Sequence, residues 1–497
     1  MNREDAPPYL AGLAEYVEQE RQARSILGLA LAITHGEEVV FAQGFGVTSV
    51  EEGVMPISPQ TLFRIASTTK LLVGIALLRL VEAGTLDLDA PIRRHLPELR
   101  LSQSERERSL TLRQLLSHTS GLCTFKGDYA RHEPDGSLAT FVRDYLPSYP
   151  FLTAPDRVWL YSNTGIMLAA YVAEVVTGMS FRNLMAEHVF APLRMEYTTF
   201  DPLVALTYPF AQAHIRGVDG ALQVEHHFTL NTVCDPAAGA LSTVGDLAHV
   251  ALMPLNDGVY EGQRILAAET IRLMQTPQVR LWTLRGDEGY GLTLASETRK
   301  GLRLLRHNGG GLASYASGFI LAPEQGIGVI LLANGGYAGR LFNSVLDRVF
   351  GLPDVEKLPA TASDPARWAE YTGTYLGPYT GVVTVAVSDA DTLTLTRNGR
   401  PFLLERIEGG RHVGKTMDKA DGERIGVGFV AATEGAPAYV VVEDSPCAKI
   451  AAPLDDAMPD AATLASYAGT YALPAGALLP AALLTPTIAS DGGRLTF

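Results

Sequence analysis

The chain has 497 residues, 47% of them hydrophobic and 19% charged, with a formal net charge of −14. That length exceeds one ordinary core and predicts two or three globular domains. The acidic balance argues against nucleic acid or an anionic membrane as partner.

The opening Met1–Pro8 lacks the apolar centre of a signal peptide, which fits a cytoplasmic enzyme unless a leader has been removed. Residues 27–43 read as two strands around His35-Gly36. The segment Phe63-Arg64-Ile65-Ala66-Ser67-Thr68-Thr69-Lys70 then leads into an almost wholly apolar run over 71–81, closed by Gly84. That run predicts a core helix ended by its glycine. Ser67 falls at its first turn and Lys70 one turn on, on the same face. A buried lysine loses basicity and can serve as a base toward a neighbouring hydroxyl, and the helix N-terminus adds partial positive charge.

Residues 111–116 predict a short helix, closed by His118-Thr119-Ser120-Gly121. Residues 123–150 are polar and irregular and predict a long functional loop. Tyr161-Ser162-Asn163 lies on a turn before an apolar helix over 165–176 that ends at Gly178. A tyrosine hydroxyl beside a cationic lysine is expected to shift toward phenolate and pass protons. Asn163 offers an amide to orient a substrate. A helix is expected over 241–252, with Ser242 and Thr243 as caps. Residues 303–307, 318–322 and 328–333 predict adjacent strands. His307-Asn308-Gly309-Gly310-Gly311 ends the first of these, and its glycines let a ligand approach the backbone.

Beyond Gly351 the composition changes. Residues 352–365 read as a linker, 366–450 as an antiparallel β domain, and 451–497 as a second, partial β unit. Asn398-Gly399 is a strong hairpin signal. Tyr371-Thr372-Gly373-Thr374-Tyr375 recurs 96 positions later as Tyr467-Ala468-Gly469-Thr470-Tyr471. Gly409 to Thr416 matches a phosphate-binding loop, but no helix pattern follows it and no nucleotide is expected. The adjacent His226 and His227 point apart, and the three cysteines (Cys123, Cys234, Cys447) are widely spaced, so neither a metal nor another cofactor is expected. The long apolar runs are interrupted, which predicts no spanning helix.

The three motifs, in this order, resemble those of the serine β-lactamase and penicillin-binding superfamily. The similarity is greatest to its class C β-lactamase-like branch, which includes family VIII esterases and D-aminopeptidases. The Ser-x-x-Lys, Tyr-x-Asn and Lys/His-x-Gly motifs match Ser67–Lys70, Tyr161–Asn163 and His307–Gly309. Leu115-Leu116-Ser117-His118-Thr119-Ser120-Gly121-Leu122, Gly239-Ala240-Leu241-Ser242-Thr243 and the 328–334 strand add to it, over roughly residues 20–350.

The resemblance implies an α+β catalytic domain over 1–351: an antiparallel sheet flanked by helices, with a helical subdomain. A small β barrel or sandwich is expected to follow. It also implies that Ser67 is acylated and that Lys70 and Tyr161 exchange its proton. Asn163 would hold the substrate, and His307 would line the site where lysine is more usual. Gly309 would border the pocket, and the backbone N–H groups of Ser67 and Gly310 would form an oxyanion hole. The family often places a glycine before the aromatic that follows the third motif, whereas Ser314 precedes Tyr315 here. The expected activity is hydrolysis of an ester or amide in a small molecule or short peptide. A β-lactamase, or a catalytically weak sensor on the same fold, is the alternative. A homo-oligomer is left open.

Overall fold

The computed structural model describes residues 7–450 apart from 52–53, 125–126, 128, 130, 134, 218–219, 227, 229–230, 285–286, 311–314, 336–337, 353–358, 379, 389–391, 408–409, 417–422 and 435. Beyond these it describes 469–470, 487–491 and 494–496. Two compact units emerge. The first comprises residues 1–124, 131–281 and 285–357; the second comprises 125–130, 282–284 and 358–497.

In the first unit, helix α1 (Leu13–Ala23) precedes a hairpin of β1 (Gly28–His35) and β2 (Glu38–Gly46). The short β3 (Phe63–Arg64) enters helix α2 (Thr69–Glu82) through a 3-10 turn over Ala66–Thr68. Helices α3 (Leu112–Leu116) and α4 (Asn163–Thr177) follow, then β4 (Leu241–Ser242) and helix α5 (Val244–Leu255). Strands β5 (Val279–Arg280), β6 (Asp287–Tyr290), β7 (Ala295–Arg299), β8 (Leu302–Gly309), β9 (Tyr315–Ala322) and β10 (Ile327–Asn334) precede helix α6 (Gly339–Phe350). The eight-stranded sheet runs β2-β1-β10-β9-β8-β7-β6-β5, antiparallel throughout.

The centre of this sheet is covered on both faces. Leu29, Leu31 and Ile33 of β1 join Val329, Leu331 and Ala333 of β10 against Leu13 and Val17 of α1 and Leu341, Val345 and Val349 of α6. The intervening Ala30 and Ala32 are equally buried, on the face where α5 packs. This explains the unbroken apolar run in β10. Each fully buried large aliphatic side chain contributes about 1.5–3 kcal/mol. Helix α2 is buried from Thr69 to Leu78, so it runs through the interior and carries Lys70 with it.

Several local expectations hold and some need correction. Gly84 and Gly178 follow α2 and α4 with φ of +72° and +70°, as helix-ending glycines do. Thr111 caps α3 in a reciprocal capping box with Gln114. The helix expected from residue 241 starts later. Leu241 and Ser242 pair with Phe63 and Arg64 as a strand, and Thr243 is the cap, accepting from Asp246 N–H. The 123–150 segment is not wholly irregular: it forms helical turns over Ser137–Thr140, Phe141–Tyr145 and Leu146–Ser148, where Leu138, Phe141 and Leu146 are buried. Among the described residues no single helix is long and apolar enough to cross a membrane.

The second unit is built on a closed antiparallel barrel. Its strands are β11 (Gly373–Gly377), β12 (Gly381–Val387), β13 (Leu393–Arg397), β14 (Arg400–Ile407), β15 (Arg411–Thr416), β16 (Arg424–Val430), β17 (Tyr439–Val442) and β18 (Ser445–Lys449), and β18 pairs back to β11. Val383, Val385, Leu393, Leu395, Phe402 and Leu404 are among the alternate residues that make up its core. Asn398 and Gly399 connect β13 to β14 with φ of +52° and +73°, the left-handed pair of a tight hairpin turn. The phosphate-loop pattern lies in strand β15 from Arg411 onward, while Gly409 and residues 417–422, which follow the pattern, fall outside the described residues. Trp282 also belongs to this unit: its amide donates to Asp444 Oδ1 at 2.9 Å, and its ring covers Gly428, where a Cβ would meet it at 1.9 Å.

Of the expected linker, 353–358 fall outside the described residues, while Ala360 pairs with Ile407 of the barrel. Of the repeated pentapeptide, Gly373-Thr374 opens the barrel. Gly469-Thr470 forms a strand paired with Thr487–Asp491, and Tyr467, Ala468 and Tyr471 lie outside the described residues.

Candidate active site

Ser67 sits in the 3-10 turn that feeds α2. The residue before it, Ala66, has φ of +46°, a left-handed conformation that costs a non-glycine residue about 1–3 kcal/mol. Contacts on several sides hold it there. Ser317 Oγ donates to the Ile65 carbonyl at 2.7 Å and lies 2.8 Å from Thr68 Oγ1. Thr69 Oγ1 donates to the Ala66 carbonyl at 2.7 Å, and Ile65 N–H donates to the Ala240 carbonyl at 3.1 Å. The Ser67 turn is therefore pinned to β9 and to the chain before β4.

Lys70 Nζ lies 3.2 Å from Ser67 Oγ and donates to the Ala237 carbonyl at 2.6 Å. It stands 4.8 Å over the Tyr161 ring and is wholly buried. Burial pushes its pKa down to about 7, because the charged form loses water that one carbonyl and one hydroxyl replace only in part. Ala237 belongs to a single helical turn over Asp235–Gly239, anchored by an Arg182–Asp235 ion pair at 2.8 Å.

Tyr161 OH donates to Ser67 Oγ at 2.7 Å. The expected drift toward phenolate does not occur. Burial raises the phenol to about 12, against a smaller opposing effect of the Ser67 hydrogen bond. Desolvation outweighs the nearby ammonium, which is itself only partly charged near neutrality.

His307 is buried at the end of β8. Its Nδ1 donates to the Asn308 carbonyl at 3.0 Å, which leaves Nε2 to accept from Tyr290 OH at 3.4 Å. Burial, then the positive charge of Lys70, lowers its pKa to about 3, so the ring is neutral. Gly309 presses on the nucleophile turn: a Cβ there would stand 2.2 Å from Ile65 O and 2.9 Å from Ser67 N. Gly310 follows with more room, its nearest neighbour being Tyr315 O at 3.4 Å. Asn163 begins α4, with its N–H donating to Thr124 Oγ1 at 3.3 Å. Its Oδ1 is buried without a hydrogen-bond partner among the described residues, so it has acceptor capacity to spare.

The structure thus brings Ser67, Lys70 and Tyr161 into direct contact and sets Gly309 against their turn. Asn163 is not hydrogen-bonded to any of the three, and Ser314 lies outside the described residues. Sequence reasoning missed Ala237, which acts through a backbone carbonyl and so carries no side-chain signal. It also missed Ser317, an ordinary serine on a strand. His226, half of the adjacent pair, contacts Glu51 at 3.0 Å. Among the described residues no cluster of three or more histidine, cysteine, aspartate or glutamate side chains could hold a metal ion.

The Beta-lactamase family model matches residues 13–350. Penicillin-binding protein 4 of Amycolatopsis lactamdurans is 29% identical over 323 residues, covering 62% of this chain and 82% of that protein. Protein flp of Staphylococcus aureus (strain MW2) is 25% identical over 325 residues; the alignment covers 64% of this chain but only 61% of that protein. Among solved structures, SurE has a TM-score of 0.70 at 22% identity, covering 89% of this chain and 99% of SurE. The octameric penicillin-binding protein homologue from Pyrococcus abyssi has a TM-score of 0.61 at 24% identity, covering 88% of this chain and all of that one. These two show likeness of fold.

Proposed function

Because the chain belongs to the Beta-lactamase family, we propose that it is a serine hydrolase that forms an acyl-enzyme on Ser67 and cleaves an ester or amide of a small molecule or short peptide. One observation carries this reading: a single hydroxyl oxygen lies 3.2 Å from a buried amine and 2.7 Å from a phenol. Neutral Lys70 takes the Ser67 proton as Oγ attacks the carbonyl carbon. The backbone N–H groups of Ser67 and Gly310 receive the developing oxyanion. Tyr161, a phenol near neutral pH, protonates the departing alcohol or amine and regains a proton from Lys70, which returns both groups to their starting state. Water then repeats the sequence on the acyl-serine, with Lys70 again the base.

The neutral His307 provides no positive charge for a substrate carboxylate, which favours esters and amides over β-lactams. A further solved structure of this fold is SurE with D-Leu, which supports including D-aminoacyl substrates among the candidates. The octameric state of the Pyrococcus homologue supports a homo-oligomer, checked by light scattering.

A fluorophosphonate probe with intact-mass detection tests the nucleophile. One adduct in the wild type, lost in Ser67→Ala, is the expected result. No adduct on a folded wild type would instead point to a sensor that kept the fold. Nitrocefin, p-nitrophenyl esters and D-aminoacyl anilides then separate the substrate classes.

A further inference from the structure

The stretch Leu115–Leu122 contains a residue that no step above uses. His118 is fully buried, and its backbone has φ of +58°. Its carbonyl accepts from Leu160 N–H at 2.8 Å, and its ring Nδ1 accepts from Ser162 N–H at 3.2 Å. Those two amides flank Tyr161. The His118 ring also packs 4.6 Å from the Tyr161 ring, with Trp159 and Tyr290 at 5.9 and 5.1 Å on its other sides. We propose that His118 is the positioning residue for Tyr161, gripping the backbone on both sides of the tyrosine and bracing its ring so that the phenol meets Ser67. The inference rests on the acyl-enzyme reading for its kinetic consequences, but not for the grip itself.

The chemistry of the ring fits this role and excludes proton shuttling. To accept from Ser162, Nδ1 needs its lone pair, so the proton of the neutral ring sits on Nε2. Nε2 is buried and has no hydrogen-bond partner among the described residues. Burial, with the charge of Lys70 adding repulsion, holds the imidazole well below its usual pKa. It therefore stays neutral and makes no hydrogen bond to Ser67. An apolar residue here would leave the Ser162 N–H buried and unpaired, and the loss would fall on the turn that sets the phenol. Displacing a reacting group by about 1 Å can cost roughly 100-fold in rate.

The test compares His118→Phe and His118→Asn in the full chain, alone and with Tyr161→Phe, using a p-nitrophenyl ester. Phenylalanine keeps a ring and loses the acceptor. Asparagine keeps an acceptor near the Nδ1 position and tolerates a left-handed backbone. The expected result is a kcat about 10- to 100-fold lower in His118→Phe with KM little changed, and substantial recovery in His118→Asn. The His118→Phe effect should largely vanish once Tyr161 is already phenylalanine. A full additional loss in that background, or unchanged kcat in folded His118→Phe, would overturn the proposal. Nitrogen-15 NMR of histidine in the wild-type chain decides the matter if His118→Phe does not fold or the wild type turns over no ester. A bare Nδ1 and a protonated Nε2 between about pH 5 and 9 support the grip; a protonated Nδ1 refutes it.

Discussion

A methyl group on Gly309 would stand 2.2 Å from the carbonyl oxygen of Ile65 and 2.4 Å from Ser317 Oγ. Both belong to the clamp that holds the strained Ala66–Ser67 turn. Gly309→Ala should therefore force β8 and the Ser67 turn apart, with a stability loss of about 1–3 kcal/mol typical of overpacking. Fluorophosphonate labelling of Ser67 should fall with it. Thermal melting and labelling rate check this; an alanine variant with normal melting and labelling would mean the contact is soft.

Lys70 should govern the pH dependence. Its pKa is about 7 in the fold against about 10.5 for an exposed lysine. The labelling rate should rise with pH through about 7 as the neutral amine appears, and Tyr161, near 12, should add no limb below pH 10. Between pH 7 and 10.5 the unfolded chain holds a proton that the fold has released, so this group's contribution makes stability rise with pH there. Lys70→Met should abolish labelling, and its melting temperature relative to wild type should be highest below pH 7 and decline as pH rises. A difference that stays flat with pH would show that Lys70 is not so depressed.

Tyr161→Phe removes the phenol that donates to Ser67 and leaves the ring packing in place. A lost general acid typically lowers turnover by about 10²–10⁴-fold. Steady-state kinetics on the best ester of the panel should show the loss in kcat, with the melting temperature nearly unchanged. Full activity in this variant would remove Tyr161 from the mechanism.

Next to His307, Arg306 bridges Glu288 and Glu297 at 3.1 Å each, and both carboxylates are almost fully buried. Arg306→Met would strip that cation from two buried acids, of which Glu297 keeps its second ion pair to Arg299. Breaking such a pair typically destabilises by about 3–5 kcal/mol. Denaturant titration near pH 7 measures it; a change below about 1 kcal/mol would show that other partners carry the charge.

Much of the architecture is readable in local pattern. The unbroken apolar run of β10 announces a strand covered on both faces, and Asn398-Gly399 announces a tight hairpin, because each depends on neighbours along the chain. Pattern misleads where burial of a distant partner decides the outcome. Leu241 and Ser242 look like the start of a helix, yet they pair with Phe63 and Arg64 from across the fold. The 123–150 stretch looks structureless, yet Phe141 and Leu146 find a core to enter and wind into helical turns.

At the site, three motifs and their resemblance to a known family singled out Ser67, Lys70 and Tyr161, and the fold brings these three side chains together. What the linear order does not contain is how dry that place is. Desolvation depends on every atom packed around a group, and it lowers the amine toward neutrality while keeping the phenol protonated. The Ala237 carbonyl and the His118 grip are likewise non-local, since a backbone acceptor 167 positions away in the chain leaves no mark in composition or spacing. The candidates were legible in the motifs; their protonation and aim came from packing, because both are set by contacts between segments far apart in the chain.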